Sequence, residues 1–383
     1  MNEVNEEIKE EKLHIKLVKE YKKKREHILA GYVNCIPLPF KRFKSEFPGV
    51  EMGKYYLVSG NEKSAKSQIT DFIFLISPLI YAYNNRDKIK LKILYFSLEM
   101  SIIEKFNQLT CFWLYWHSKG LIRIDTKQLT SLNEESPLSE DILKILESKE
   151  YQDFFDFIED TVIFDESNSN PFGIYKTCKE FAEARGKYKY KTIKWKNNDT
   201  GLLEDKRVIA SFEKDDTEEY WIVITDHLSL LQNEKGMDLR ETIGKHSKNC
   251  VSLRNYFNFT IVNIQQQSAE SQSNESFKLD RLYPHPGNLA DNKSTKNDLN
   301  IMLGIFSPFR FKKPIWEGYN INQFKDNIRF LEICLNRSGS SGSICPLYFD
   351  GAVNFFSELP LPNDTNNLKI YQEMALKAQQ SQN

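Results

Sequence analysis

The run Gly60-Asn-Glu-Lys63-Ser64-Ala65-Lys66-Ser67 has the residue types and spacing to hold a phosphate chain. A phosphate loop reads G-x-x-x-x-G-K-[ST] between a strand and a helix, and Gly60, Lys66 and Ser67 stand in register with that pattern. Backbone N–H groups of such a loop, and of the helix after it, cradle phosphate oxygens. Lys66 would reach the β- and γ-phosphates, and the Ser67 hydroxyl would ligate magnesium. Ala65 takes the place of the second glycine, which lets the backbone approach phosphate with no Cβ in the way. The expected nucleotide contacts are Gly60, Lys63, Ser64, Ala65, Lys66, Ser67 and Gln68. Whether Ala65 tolerates nucleotide depends on its backbone torsion.

Acids suited to the remaining chemistry close two other apolar runs. Trp221-Ile-Val-Ile-Thr-Asp226 is the Walker-B pattern, whose carboxylate holds magnesium. Leu94-Tyr-Phe-Ser-Leu-Glu99 ends in an acid placed to polarise an attacking water, although a solvated loop acid would read the same. A further strand runs into Gln265-Gln266-Gln267. Each signal alone is weak. Their order (phosphate loop, Glu99, Asp226, Gln266) reproduces the layout of a RecA-type ATPase core, in which ligands gather at the carboxyl ends of strands.

The elements that must position these groups follow from periodicity. Short apolar strands are expected at Tyr55–Ser59, Ile93–Ser97, Thr161–Phe164, Tyr220–Thr225, Thr260–Ile264, Asn300–Phe306 and Ile328–Leu335. Helical patterns cover 66–83, 101–119, 138–159 and 239–257. Buried strands alternating with helices predict an α/β fold with a mostly parallel central sheet. Residues 3–29 read as a charged helix with an apolar stripe of Val4, Ile8, Ile15 and Val18, either solvated or docked on another subunit. Residues 185–219 read as an insertion. Within it Lys187, Lys189, Lys191, Lys194 and Lys196 alternate with Tyr188, Tyr190 and Trp195, which predicts a hairpin. Its composition suits either a single-strand platform or a solvated hairpin on an outer rim. Residues 268–298 are polar and expected to be weakly structured, and the stretch 358–383 is expected to fray.

Composition sets the outer bounds. Of 383 residues, 40% are hydrophobic and 13% aromatic, enough for a substantial core, so global disorder is excluded. Lys plus Arg total 52 against 53 acids, a net charge of −1, so binding to nucleic acid would have to use a local patch. The six cysteines are scattered without a CxxC pair, which excludes a zinc ribbon and suits a reducing compartment. Ile69 to Tyr83 is broken by Asp71 and Pro78 and falls short of the about 20 apolar residues a membrane span needs. With a charged start to the chain, a soluble cytoplasmic protein is expected.

On these residues the chain resembles the C-terminal motor domain of replicative hexameric helicases of the DnaB type, over 31–357. Ser97-Leu-Glu-Met-Ser101 resembles a family signature, and Asp226-His-Leu-Ser-Leu-Leu231 its second acidic motif. Ile264–Glu270 resembles its Ser-Gln-Leu-Asn-Arg segment, which puts Gln266 on the γ-phosphate-sensing glutamine. Leu335-Asn-Arg337-Ser-Gly339-Ser-Ser-Gly342 resembles the Lys-Asn-Arg-Asn-Gly-x-x-Gly hairpin, whose arginine reaches a neighbouring subunit's nucleotide. The chain departs from the family at Ala65, at Leu335 in place of a lysine, and at Ala269 in place of an arginine. The family's separate N-terminal helical domain has only the 3–29 helix in its place, a compactness expected of a phage-encoded relative.

The resemblance implies a RecA-like P-loop core with a hairpin insertion, a docking helix over 1–30, and a polar tail over 358–383. It implies a ring-forming homo-oligomer, a hexamer, that takes ATP and Mg2+, translocates on single-stranded DNA and unwinds duplex. A primase or a helicase loader is the implied partner. In that scheme Glu99, Gln266 and Arg337 are catalytic, and Ser67 and Asp226 hold the metal. The 268–298 loop would face DNA with Lys278, Arg281, Lys293 and Lys296. The competing expectation is a catalytically weakened ring that serves as a DNA-binding or partner-binding scaffold.

Overall fold

The computed structural model describes residues 12–132, 137–196, 201–269 and 282–380. At its start α1 (Leu13–Leu29) buries none of its residues. Leu13, Val18 and Leu29 are exposed, so no part of the described chain covers the apolar stripe; Val4 and Ile8 lie outside the described residues.

The candidate phosphate loop joins β1 (Tyr55–Gly60) to α2 (Lys66–Asp71), which runs through a π turn at Phe72–Ile76 into α3 (Ser77–Asn84). The chain continues with β2 (Lys90–Ser97), α4 (Ile102–His117), α5 (Lys149–Thr161), β3 (Val162–Asp165) and α6 (Pro171–Glu183). The expected hairpin is β4 (Gly186–Lys196) and β5 (Leu203–Lys214). Then come β6 (Glu219–Asp226), α7 (Leu239–Phe257), β7 (Thr260–Gln266) and β8 (Ile301–Phe306). The chain closes with β9 (Ile328–Asn336), β10 (Ile344–Asp350), β11 (Phe355–Glu358) and α8 (Thr365–Gln380). Local chemistry marks several starts: Ser101 with Glu104 and Asp238 with Glu241 form capping boxes, and Asn170 caps a helix opened by Pro171.

One nine-stranded sheet, in the order β11-β10-β9-β8-β1-β7-β6-β2-β3, organises everything else. From β8 to β3 the neighbours are parallel, and β9, β10 and β11 add antiparallel strands at one end. Every residue of β1 and β8 is buried, as expected of strands covered on both faces. One core cluster, around Tyr56, Phe74 and Trp113, fills one face; a second, around Leu57, Trp221 and Leu253, fills the other.

Two expectations need correction. Residues 358–380 do not fray: α8 buries Leu368, Ala375 and Ala378 against the antiparallel end of the sheet, and 381–383 lie outside the described residues. The apolar stripe is made mostly of small alanines, so the Asn- and Gln-rich composition hid it. Residues 282–298 are not weakly structured either. The Gln265 side-chain amide donates to the carbonyls of Ala290 and Asn292, and Leu282 and Leu289 are buried. Residues 270–281 lie outside the described part.

His246 of α7 is wholly buried, with Nε2 3.4 Å from Asn263 Oδ1, and burial pushes its pKa down from 6.5 to about 4. The unfolded chain therefore binds the extra proton between those values. Stability is complete above the unfolded pKa and falls as pH drops toward the folded one, by about 3 kcal/mol for this group. Urea denaturation across that window should show the decline, and His246→Gln should flatten it.

Candidate active site

β1 ends where the loop must turn tightly, and Gly60 is there for lack of a side chain. A Cβ on it would stand 2.4 Å from Ser64 Oγ and 2.7 Å from the Ile305 carbonyl. The loop then climbs through Lys63 (φ 59°) to Ala65, which sits at φ 75°, ψ 37°. That is the left-handed conformation a glycine would take, so the substitution leaves the backbone course of a phosphate loop intact. The Ala65 methyl packs on the main core cluster.

Strain and packing at Ala65 oppose each other. Ala65→Gly would relieve about 1–2 kcal/mol of torsional cost. It would also give the unfolded chain about 0.4–1 kcal/mol of extra freedom and forfeit the methyl contact. The expected net change by urea denaturation is therefore small. Ala65→Val, a β-branched residue at positive φ, is expected to cost about 1–3 kcal/mol.

Lys66, the first residue of α2, folds its Nζ back 3.0 Å from the Asn61 carbonyl. Burial lowers its pKa, while Glu99, Asp226 and Glu62 work the other way. One residue further on, the Ser67 hydroxyl donates to Asp226 Oδ1 at 2.9 Å across 159 residues of sequence. Asp226 is buried at the carboxyl end of β6, two strands over from β1. The parallel register of β2 and β6 sets Ser97 opposite Asp226, which brings Glu99 to the same edge. Glu99 is half exposed, 3.9 Å from His227 Nε2. Gln266 ends β7, in register with Gly60.

These groups line one polar cavity of about 770 Å3: Lys66, Ser67, Gln68, Glu99 and Gln266 from the sequence-derived set, with His227 beside them. Lys63 and Ala65 lie on its wall as well. A second cavity of about 650 Å3, between the end of α4 and α8, is apolar and carries none of this chemistry.

Arg337 lies elsewhere. It follows β9, whose Asn336 pairs with Ile301 at the start of β8, so it stands at the end of the sheet away from its own phosphate loop. There its Nη2 donates to the Asn297 carbonyl at 2.7 Å, and its Nε to that of Leu299. Lys293 and Lys296 sit on a short turn anchored by Thr295, whose hydroxyl donates to Gln265 Oε1 at 2.8 Å. Lys278 and Arg281 lie outside the described residues.

Sequence reasoning missed several groups. Arg329 of β9 is buried, donates from Nε to the Ser64 carbonyl at 3.1 Å, and joins the cavity wall with Arg310. Burial lowers its pKa to about 10, so it stays charged at neutral pH. Behind Asp226, Lys105 reaches Asp71 Oδ2 at 2.8 Å and Asp226 Oδ2 at 3.8 Å. Tyr95 donates to Asp71 Oδ1 at 2.8 Å and to Asp226 Oδ2 at 3.2 Å. A signal for Lys105 existed: it shares a helical face with the apolar Leu109 and Phe112.

No family model matches the chain, and no curated protein matches it in sequence. Solved structures do match in shape. One solved ATPase domain superposes with a TM-score of 0.62 at 15% identity, over 91% of this chain and 99% of that one. A DnaB-like replicative helicase, studied with its interactions with primase, superposes with a TM-score of 0.60 at 15% identity. The fold is that of a DnaB-type helicase motor domain. The match to the helicase covers 91% of this chain and 67% of the other. Lys66, Ser67, Glu99 and Gln266 stand at the carboxyl-end edge of the sheet, and that edge walls the cavity. Among the described residues no helix is long and apolar enough to cross a membrane.

Proposed function

We propose that this chain is an ATP-driven motor that assembles as a ring, a hexamer, translocates on single-stranded DNA and unwinds duplex during replication. The observation that carries the reading is the meeting of Ser67 and Asp226 beside Lys66. Two oxygen donors, with room left for water and phosphate, suit Mg2+, which keeps much of its own hydration. Bound there, Mg2+ would neutralise phosphate charge.

The chain's own residues would do the rest. The Lys66 ammonium would leave the Asn61 carbonyl for the β- and γ-phosphate oxygens, and α2 would offer its N-terminal N–H groups. Glu99 would orient water and take its proton, and Gln266 would touch the γ-phosphate. Arg337, pointing away from its own loop, would serve only a neighbouring subunit, where a guanidinium offsets charge in phosphoryl transfer. The uncovered stripe of α1 would dock on an adjacent motor, and a primase or a helicase loader is the proposed partner. The cytoplasm, that of a host cell for a phage protein, is the proposed setting.

A catalytically weakened scaffold is the second reading, and Ala65 was its main ground. The glycine-like torsion of Ala65 removes much of that ground; Leu335 and Ala269 remain. The test is ATP hydrolysis with and without single-stranded DNA, on a sample whose oligomer is established by mass, followed by strand displacement on a fork. Turnover that rises with DNA and drives displacement is expected. An assembled ring that binds DNA without turnover would favour the scaffold.

A further inference from the structure

The hairpin β4–β5 has no part in the proposed ATPase. It leaves the body between the end of α6 and the start of β6, at the sheet edge opposite Asp226 and the cavity. Its root is fixed: Tyr188 and Phe212 pack on each other with centroids 5.5 Å apart, and on Phe257 of α7. Beyond the root, residues 189–196 are all exposed. At about 3.3 Å per residue the 11-residue β4 makes a ribbon about 35 Å long. A free two-stranded ribbon is marginal in water, so its exposed Tyr190, Ile193, Trp195 and Ile209 call for an occupant.

Charge selects that occupant. β4 carries Lys187, Lys189, Lys191, Lys194 and Lys196 and no acid. Acids of β5 engage some of them: Glu213 meets Lys189 at 2.6 Å and Asp205 meets Lys194 at 2.7 Å. Exposed strand edges are commonly guarded by lysine, but here five of the 11 residues of β4 are lysine in a chain of net charge −1. Because residues alternate sides along a strand, the lysines fall on both faces rather than one. The rings are also engaged: Arg207 lies 4.3 Å from the Tyr190 centroid and Lys206 4.7 Å from that of Trp195. Rings already holding cations make poor stacking platforms for unpaired bases, which counts against a single-strand platform. A narrow ribbon with cations on both faces matches a B-form major groove, which is about 12 Å wide and walled by phosphates on both sides.

We infer that β4–β5 is an arm that binds duplex DNA through its phosphate backbone. The arm goes beyond the ATPase reading, and its test runs without nucleotide, so either can fail alone. The variant is Lys187→Gln/Lys191→Gln/Lys196→Gln in the full chain, titrated with a short blunt DNA duplex at rising salt. Removing three phosphate contacts should weaken duplex binding about tenfold or more and flatten the salt slope by about 2–3. In the wild type, duplex should shield Lys187 and Lys196 from acetylation. Unchanged affinity and slope, with no shielding, would leave a solvated hairpin and overturn the arm. A loss confined to single strands of the same sequence, or equal shielding by polyglutamate, would overturn the duplex assignment.

Discussion

Glu99→Gln should lower ATP turnover at saturation by about 10²–10⁴-fold while leaving nucleotide affinity nearly unchanged. Glutamine keeps the size and the hydrogen-bonding reach of the side chain but cannot accept a proton. Glu99 stands on the cavity wall with Lys66 and Ser67, yet it makes no part of the loop that would grip phosphate. Binding and chemistry should therefore separate. Single-turnover hydrolysis beside equilibrium binding of Mg-ATP reads the two apart. Full turnover in the variant would make Glu99 the solvated loop acid that its exposure also permits. A parallel loss of binding would mean that the carboxylate holds the loop rather than acting on water.

Lys105→Met should cost about 3–5 kcal/mol of folding stability, more than most single substitutions in a chain of this size. Lys105 and Asp71 are almost wholly buried, at 1% and 2% side-chain exposure. Burial by itself lowers the pKa of the ammonium, but Asp71 and Asp226 outweigh it and the net shift is upward. Methionine fills the space and leaves two carboxylates facing each other in the core with only Tyr95 between them. The pairing is tested by Lys105→Met/Asp71→Asn, which removes one charge of each sign and should recover most of the loss. Urea denaturation measures both. A single variant as stable as the wild type would show that the lysine is spare.

Much of the fold was legible because its signals are local. The strands from Tyr55 to Leu335 are apolar runs bounded by polar turns, and the helices carry caps such as Ser101 and Asp238. The order of phosphate loop, Glu99, Asp226 and Gln266 was enough to name a RecA-type core, and the solved neighbours share that fold at an identity of only 15%. The hairpin was legible from period two. The tail helix α8 was missed because its buried positions are mostly alanines that only neighbouring elements can cover.

The sequence by itself determined which residues could bind phosphate and that buried strands would carry them to one edge, since spacing and periodicity need no distant partner. Tertiary structure alone decided the rest. Strand order is a matter of long-range pairing, so only the folded sheet could bring Ser67 to Asp226 and send Arg337 to the opposite end. Burying a charge is costly unless a partner arrives with it, and the partners of Lys105 come from α2 and β6. The torsion of Ala65 belongs here too. An alanine accepts the left-handed region only where its surroundings hold it there, and the turn between β1 and α2, closed by Arg329 on Ser64, does so.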